Sequence, residues 1–248
     1  MHYQPQLDLR TGEIVAVESL LRWAHPQRGL IPPLEFLPLA EEAGLMSEIT
    51  SLVLSAALTQ CATWRAAGHA LTVAVNISTT DLLDARFVTL VSDQLQRHGV
   101  PAEALVLEIT ETIVISDFGR SEDVIRQLRE LGLVVSIDDF GAGFTSLAYL
   151  SSLAVNELKL DRTFISGLTS GDVGRGRDLV HATIDLGHAL GLRVVAEGIE
   201  DHVSLELLTD LGCDIGQGYF IGRPVPADEL VFDRVPGSAV PTRFSMRS

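Results

Sequence analysis

Short apolar runs recur along this chain, and each ends in a charged or amide residue before a helix-like segment begins. The runs cover residues 3–9, 14–22, 71–77, 104–110, 133–139, 157–161, 193–198 and 214–220. Between them lie segments with helix start and stop signals. Pro32-Pro33 opens one that Gly44 closes, and Gly68 closes the helix predicted over 47–67. Ser78 and the Thr79-Thr80-Asp81 stretch offer caps for a segment ending at His98-Gly99. Further helices are predicted over 121–131, 177–190 and 201–211, each followed by glycine, with a shorter one near 146–150. Strands that alternate with helices lie parallel with the helices packed outside. Eight such strands close naturally into a TIM-type (β/α)8 barrel, and 248 residues fit one barrel of typically about 250. Only the tight turn Arg10-Thr11-Gly12 joins the first two strands, so the first strand is expected to be antiparallel.

The chain is 46% hydrophobic and has a mean hydropathy of +0.27, yet it contains no apolar run near the ~20 residues a membrane span needs. Buried parallel strands explain that hydropathy. The N-terminus lacks the basic-then-apolar pattern of a signal peptide. Cys61 and Cys213 stand alone, without metal-ligand spacing, which favours a reducing compartment and makes the cytoplasm the expected location. A formal charge of −15 argues against binding bulk nucleic acid, which needs a basic patch.

Barrel chemistry sits at the C-terminal ends of the strands. Those ends carry Glu18 and Arg22, Asn76, Glu108 and Glu111, Asp138 and Asp139, Lys159 and Asp161, Glu197 and Glu200, and Gln217. One such residue is an ordinary charge at a strand-to-loop junction. Seven strand ends in step point to a site, because charges are rarely buried without partners. Converging carboxylates repel unless a cation compensates. No histidine or cysteine lies at a strand end, and an oxygen-only donor set suits Mg²⁺, Mn²⁺ or Ca²⁺ rather than zinc. Asp138-Asp139 can place one carboxylate on each of two neighbouring ions, the arrangement that clamps an in-line phosphoryl displacement. Lys159 fits as the cation that orients water or stabilises phosphoryl charge, with a structural salt bridge as the plainer reading. The glycines of 139–143 read, on their own, as a tight turn. Gly-x-Ser-x-Gly, Walker-type and His-Glu-x-x-His motifs are absent.

At these positions the sequence resembles the EAL-domain family of cyclic di-GMP phosphodiesterases, over about Tyr3 to Pro226. Tyr3-Gln4-Pro5 is similar to the family's opening YQP, and Glu18-Ser19-Leu20-Leu21-Arg22 occupies the place of EALxR. Asn76-Ile77-Ser78, Leu107-Glu108-Ile109-Thr110-Glu111 and Asp138-Asp139-Phe140-Gly141-Ala142-Gly143 resemble N-[IVL]-S, LEITE and DDFGTG. Leu158-Lys159-Leu160-Asp161, Ala196-Glu197-Gly198-Ile199-Glu200 and Gln217-Gly218-Tyr219 with Arg223-Pro224 resemble LKID, AEGVE and QGYxxxRP.

The resemblance implies a barrel with an antiparallel first strand and hydrolysis of cyclic di-GMP to linear pGpG, by in-line attack of a water activated at two divalent cations, Mg²⁺ or Mn²⁺. It implies Glu18, Asn76, Glu108 and Asp138 as ligands of one ion, and Asp138, Asp139 and Glu197 at the other. Lys159 and Glu197 would position and deprotonate the water, and Glu111 would hold the loop after the Asp-Asp strand. Gln217 would lie near the metals and water. Gln4 and Arg22 would contact substrate, as would Asp161 and Tyr219 within their motifs. A homodimer and a fused or associated sensory domain are family expectations. Ser19, Ala142 and Thr145 depart from the family pattern, the last two in a loop that couples metal binding to dimer contacts, so they bear on turnover. The domain is expected over 1–235, with a disordered Pro-, Ser- and Arg-rich tail over 236–248. A cyclic di-GMP receptor or interaction module without turnover is the alternative, and an aldolase- or enolase-type barrel a remoter one.

Overall fold

Asp8 makes the first reversal. Its carboxylate accepts the backbone N–H groups of Arg10 (2.9 Å) and Thr11 (2.7 Å), and Gly12 completes the turn at a φ of 71°. The turn joins β1 (His2–Asp8) to β2 (Ile14–Leu20) as an antiparallel pair. The computed structural model describes residues 1–111, 118–141, 147–169 and 173–232. The expected tail over 236–248, the 235 boundary, and positions Ala142, Gly143 and Thr145 lie outside the described residues.

After β2 come a small hairpin, β3 (Trp23–His25) and β4 (Gly29–Ile31), and the helices α1 (Pro33–Glu42) and α2 (Met46–Ala66). Strand β5 (Thr72–Asn76) precedes α3 (Thr79–Leu82), which a Ser78/Asp81 capping box starts, and α4 (Phe87–His98). The alternation continues through β6 (Leu105–Thr110), α5 (Phe118–Glu130), β7 (Val134–Phe140), α6 (Leu147–Ser152) and β8 (Glu157–Leu160). It ends with α7 (Arg162–Thr169), α8 (Val173–Ala189), β9 (Arg193–Ala196), α9 (His202–Asp210) and β10 (Ile215–Gln217).

Eight strands form a closed barrel in the order β1-β10-β9-β8-β7-β6-β5-β2. β1 is antiparallel to both neighbours, and every other pairing is parallel. The predicted barrel and its reversed first strand are both present. Several strands are a residue or more shorter than expected, and the last two, β9 and β10, end beside tightly packed glycines. Gly198, at a φ of 74°, passes so close to Arg162 that a Cβ there would stand 2.5 Å from the arginine's own. Gly218 lies on the Ile199 backbone, where a Cβ would meet its carbonyl oxygen at 2.1 Å. Only glycine fits at these two positions, and Glu197 and Tyr219 beside them stand on loops.

The two faces of the strands differ. Outward residues such as Val73, Leu107, Ile137, Leu158 and Val194 join one buried cluster with Leu54, Leu58, Ile125, Val180 and Leu208 of the helices. Burying each such side chain contributes roughly 1.5–3 kcal/mol. Inward residues Ala16, Ala74, Val106 and Val195 are buried but stand apart from that cluster. One inward step beyond each, at the strand spacing of two residues, come Glu18, Asn76, Glu108 and Glu197. Below the polar layer the barrel holds mostly small apolar groups, with Ser136 and Glu157, the latter 3.1 Å from Arg193, as buried polar exceptions. No helix among the described residues is long and apolar enough to cross a membrane.

Candidate active site

The Lys159 side chain is fully buried at the centre of that polar layer. Its Nζ lies 2.7 Å from Glu197 Oε1, 2.8 Å from Glu108 Oε1, 3.2 Å from Asp138 Oδ1 and 3.8 Å from Glu18 Oε2. Glu18 receives two amides: Asn76 Nδ2 donates to Oε1 at 2.8 Å and Gln217 Nε2 to Oε2 at 2.6 Å. Asp139 has a φ of 56°, a left-handed conformation uncommon outside glycine, and its N–H donates to Asp138 Oδ1 at 2.9 Å. Asp138, Asp139 and Glu197 offer carboxylate oxygens that all lie within 4.8 Å of one another. Glu111 accepts the N–H of Gly141 at 3.2 Å, tying the end of β7 to that of β6.

Crowding without enough positive charge sets the protonation. Burial pushes the Glu108 carboxyl well above the usual carboxylate range, and the neighbouring Glu18 and Asp138 add to it against the pull of Lys159. Burial, Asp138 and Glu18 raise Glu197 to about 7, again opposed by Lys159. Partial burial raises Asp139, helped by Asp138 and Asp161. For Glu18 burial works upward too, but the Lys159 ammonium and the Gln217 and Asn76 hydrogen bonds outweigh it and hold the group low. Burial would lower Lys159, yet its surrounding carboxylates hold it well above the ordinary lysine value. The same crowding therefore favours the ionised form of Glu18 and the protonated form of Glu108 and Glu197.

These residues suit a hard divalent cation. The donor set is all oxygen, and Asp138, Asp139 and Glu197 converge. That cluster is one candidate cation site.

The expected site residues fall into three groups. Glu18, Asn76, Glu108, Asp138, Lys159, Glu197 and Gln217 meet directly, and Asp139 joins them through Asp138 and Glu197. Gln4 and Tyr219 line the open cleft above them, with Tyr219 exposed and the Arg223 guanidinium 4.3 Å over its ring. Arg22 and Asp161 make local contacts: Arg22 Nη1 donates to the Leu21 carbonyl at 2.8 Å, and Asp161 caps α7 through the Thr163 N–H at 2.9 Å. Ser19 is buried on the face of β2 opposite Glu18. Sequence reasoning missed Arg162, which lines the cleft, and Gln6, whose Nε2 donates to Gln217 Oε1 at 2.7 Å.

A closed α/β barrel whose mouth gathers four carboxylates around one lysine, with a fifth beside two of them, defines a class of acidic barrel sites suited to cations. The family is equally plain: the EAL domain matches residues 1–224, and the chain belongs to the EAL-domain family. It is 44% identical over 234 residues to the bifunctional diguanylate cyclase/cyclic di-GMP phosphodiesterase MucR of Pseudomonas aeruginosa, covering 93% of this chain and 34% of that protein. It is 40% identical over 228 residues to the cyclic di-GMP phosphodiesterase PA2567 of the same organism, covering 92% of this chain and 38% of the relative. The chain thus spans about a third of the length of these two relatives. The solved structure of the PaMucR phosphodiesterase in complex with c-di-GMP superposes with a TM-score of 0.88 at 43% identity, over 93% of each chain. The FimX EAL domain from Pseudomonas aeruginosa, bound to c-di-GMP, superposes at 0.84 with 25% identity, over 94% of this chain and 92% of that one.

Proposed function

We propose that this domain hydrolyses cyclic di-GMP to linear pGpG, adding one water across one phosphodiester. The observation that carries the reading is the meeting of Glu18, Glu108, Asp138, Asp139 and Glu197 around Lys159 at the barrel mouth. The likeness to relatives named as cyclic di-GMP phosphodiesterases supports the choice of substrate.

Five carboxylates against one ammonium leave a formal charge of −4, the amount two divalent cations neutralise. Two ions, Mg²⁺ or Mn²⁺, are therefore assigned here, with Glu18, Asn76, Glu108 and Asp138 holding one and Asp138, Asp139 and Glu197 the other. Such ions lower the pKa of water and offset charge on the attacking and leaving oxygens. The protein supplies the rest. Glu197 is assigned to take the water's proton, while Lys159, held protonated by its surrounding carboxylates, remains a donor that fixes Glu197 and the water. Glu111 holds the Asp-Asp loop through Gly141, and Gln217 orients Glu18. Gln4, Arg22, Asp161 and Tyr219 are the assigned substrate contacts.

In the whole protein the domain acts beside a sensory partner, as a homodimer in the cytoplasm. The greater length of the relatives supports the first point, and the buried, unpaired Cys61 and Cys213 support the compartment. The domain is assigned to residues 1–235. A turnover assay with the product identified tests the proposal: cyclic di-GMP should become pGpG with Mg²⁺ or Mn²⁺ and persist with EDTA. Tight binding without turnover in the presence of metal would make the chain a receptor instead.

A further inference from the structure

We propose that Gln6 is a positioning residue: it fixes the Gln217 side-chain amide so that its nitrogen, not its oxygen, faces Glu18. The inference rests on the reading of the site given above.

β1 runs against both its neighbours, so its two inward glutamines meet different strands. Gln4 stands opposite Glu18 of β2, and Gln6 opposite Gln217 of β10. The four side chains form one hydrogen-bonded row. Gln4 Nε2 donates to the Gly222 carbonyl at 3.1 Å. Gln217 Nε2 donates both to Gln4 Oε1 at 3.2 Å and to Glu18 Oε2 at 2.6 Å. Gln6 Nε2 donates to Gln217 Oε1 at 2.7 Å.

A primary amide has a direction, because its nitrogen only donates and its oxygen only accepts. Both fixed ends of this row, the Gly222 carbonyl and the Glu18 carboxylate, only accept. Gln4 must then give its nitrogen to Gly222 and its oxygen to Gln217. Gln217 must turn its nitrogen toward Gln4 and Glu18, which uses both of its N–H bonds. Its oxygen is left pointing toward β1 on a residue only 4% exposed, where a protein donor is called for. Gln6, at 2% exposure, is the donor that satisfies it. Take that donor away and the amide is pulled two ways: it keeps an unpaired buried oxygen, or it flips and sets that oxygen against the Glu18 carboxylate. Either state disorders a group that holds a cation ligand.

The test is Mn²⁺ affinity by calorimetric titration of the purified chain, compared for wild type, Gln6→Met, Gln6→Glu, and Gln6→Met in a Gln217→Met background. Outer partners that orient metal ligands typically contribute about 10–100-fold to affinity. Gln6→Met, which keeps the bulk and loses the donor, should weaken Mn²⁺ binding by about tenfold. Gln6→Glu, which sets an acceptor against Gln217 Oε1, should weaken it further. Once Gln217 is methionine, Gln6→Met should cost nothing more. Wild-type affinity in Gln6→Met, or an equal loss with and without Gln217, would overturn the inference. An arm that needs no metal is the Gln217 side-chain amide in NMR spectra. Its NH₂ protons should exchange slowly in wild type and lose protection in Gln6→Met; unchanged protection also overturns the inference. If wild type binds Mn²⁺ and leaves cyclic di-GMP intact while these shifts appear, the proposed hydrolysis fails and the role of Gln6 stands.

Discussion

Leu158 and Lys159 are neighbours on β8, both fully buried, and they belong to different regions of the molecule. Leu158 points outward into the apolar layer between strands and helices. Lys159 points inward among four carboxylates. The outer layer gains free energy from each buried side chain, whereas the inner layer holds charges whose burial is costly without further cations. Stability and chemistry are thus placed on opposite faces of the same strands.

Substitutions can break that separation, beginning with the largest effect. Lys159→Ala should lower kcat by about 10²–10⁴-fold, the range for a positioned proton-transfer group, while Mn²⁺ still binds. A normal kcat would remove Lys159 from the chemistry. Leu158→Ala should instead cost ~2–5 kcal/mol of stability, read as a melting temperature lower by ~2–4 °C for each kcal/mol, with activity per folded molecule retained. A loss of specific activity without a fall in melting temperature would show that the two faces are not separate. Mg²⁺ at a hundred times its Kd should stabilise wild type by about 2.7 kcal/mol, and Glu18→Ala should abolish most of that gain. An undiminished gain would place the ion elsewhere.

The pH response sharpens the same contrast. Glu197 is raised to about 7 in the folded protein, above the ordinary glutamate value of about 4.5 that the unfolded chain restores. Between those values the folded state binds the extra proton, so raising the pH through this window lowers stability. Metal-free melting temperature should therefore carry a component that falls from pH 4.5 to 7, and Mg²⁺ or Glu197→Gln should remove it. A component that rises instead would refute the assigned environment. At the surface, the Arg28–Glu35 pair spans 2.7 Å with side chains 61% and 49% exposed, so Glu35→Ala should change stability by less than ~1 kcal/mol.

The eight barrel strands were legible because each apolar run ends in a polar residue, and the site was legible because those endings fall in step. Elements without that rhythm were not. The hairpin of β3 and β4 is short and largely exposed, so it carries no buried periodicity. α7 reads Arg-Thr-Phe-Ile-Ser-Gly-Leu-Thr, rich in β-branched residues and glycine with weak helix propensity, and the Asp161 cap starts it. Gln6 was missed because an inward amide in a strand has no recognisable pattern until its partner on β10, more than two hundred residues away, is brought opposite it.

The sharpest single measurement is a calorimetric Mn²⁺ titration at pH 7 in buffers of different ionisation enthalpy, which counts ions and displaced protons together. Burial pushes the Glu108 and Glu197 carboxyls upward and a bound cation pulls them toward the ionised form, so the expected result for the proposed pair of ions is saturable binding with proton release. Absence of saturable binding, or binding with no proton released, would contradict the arrangement of the barrel mouth described here.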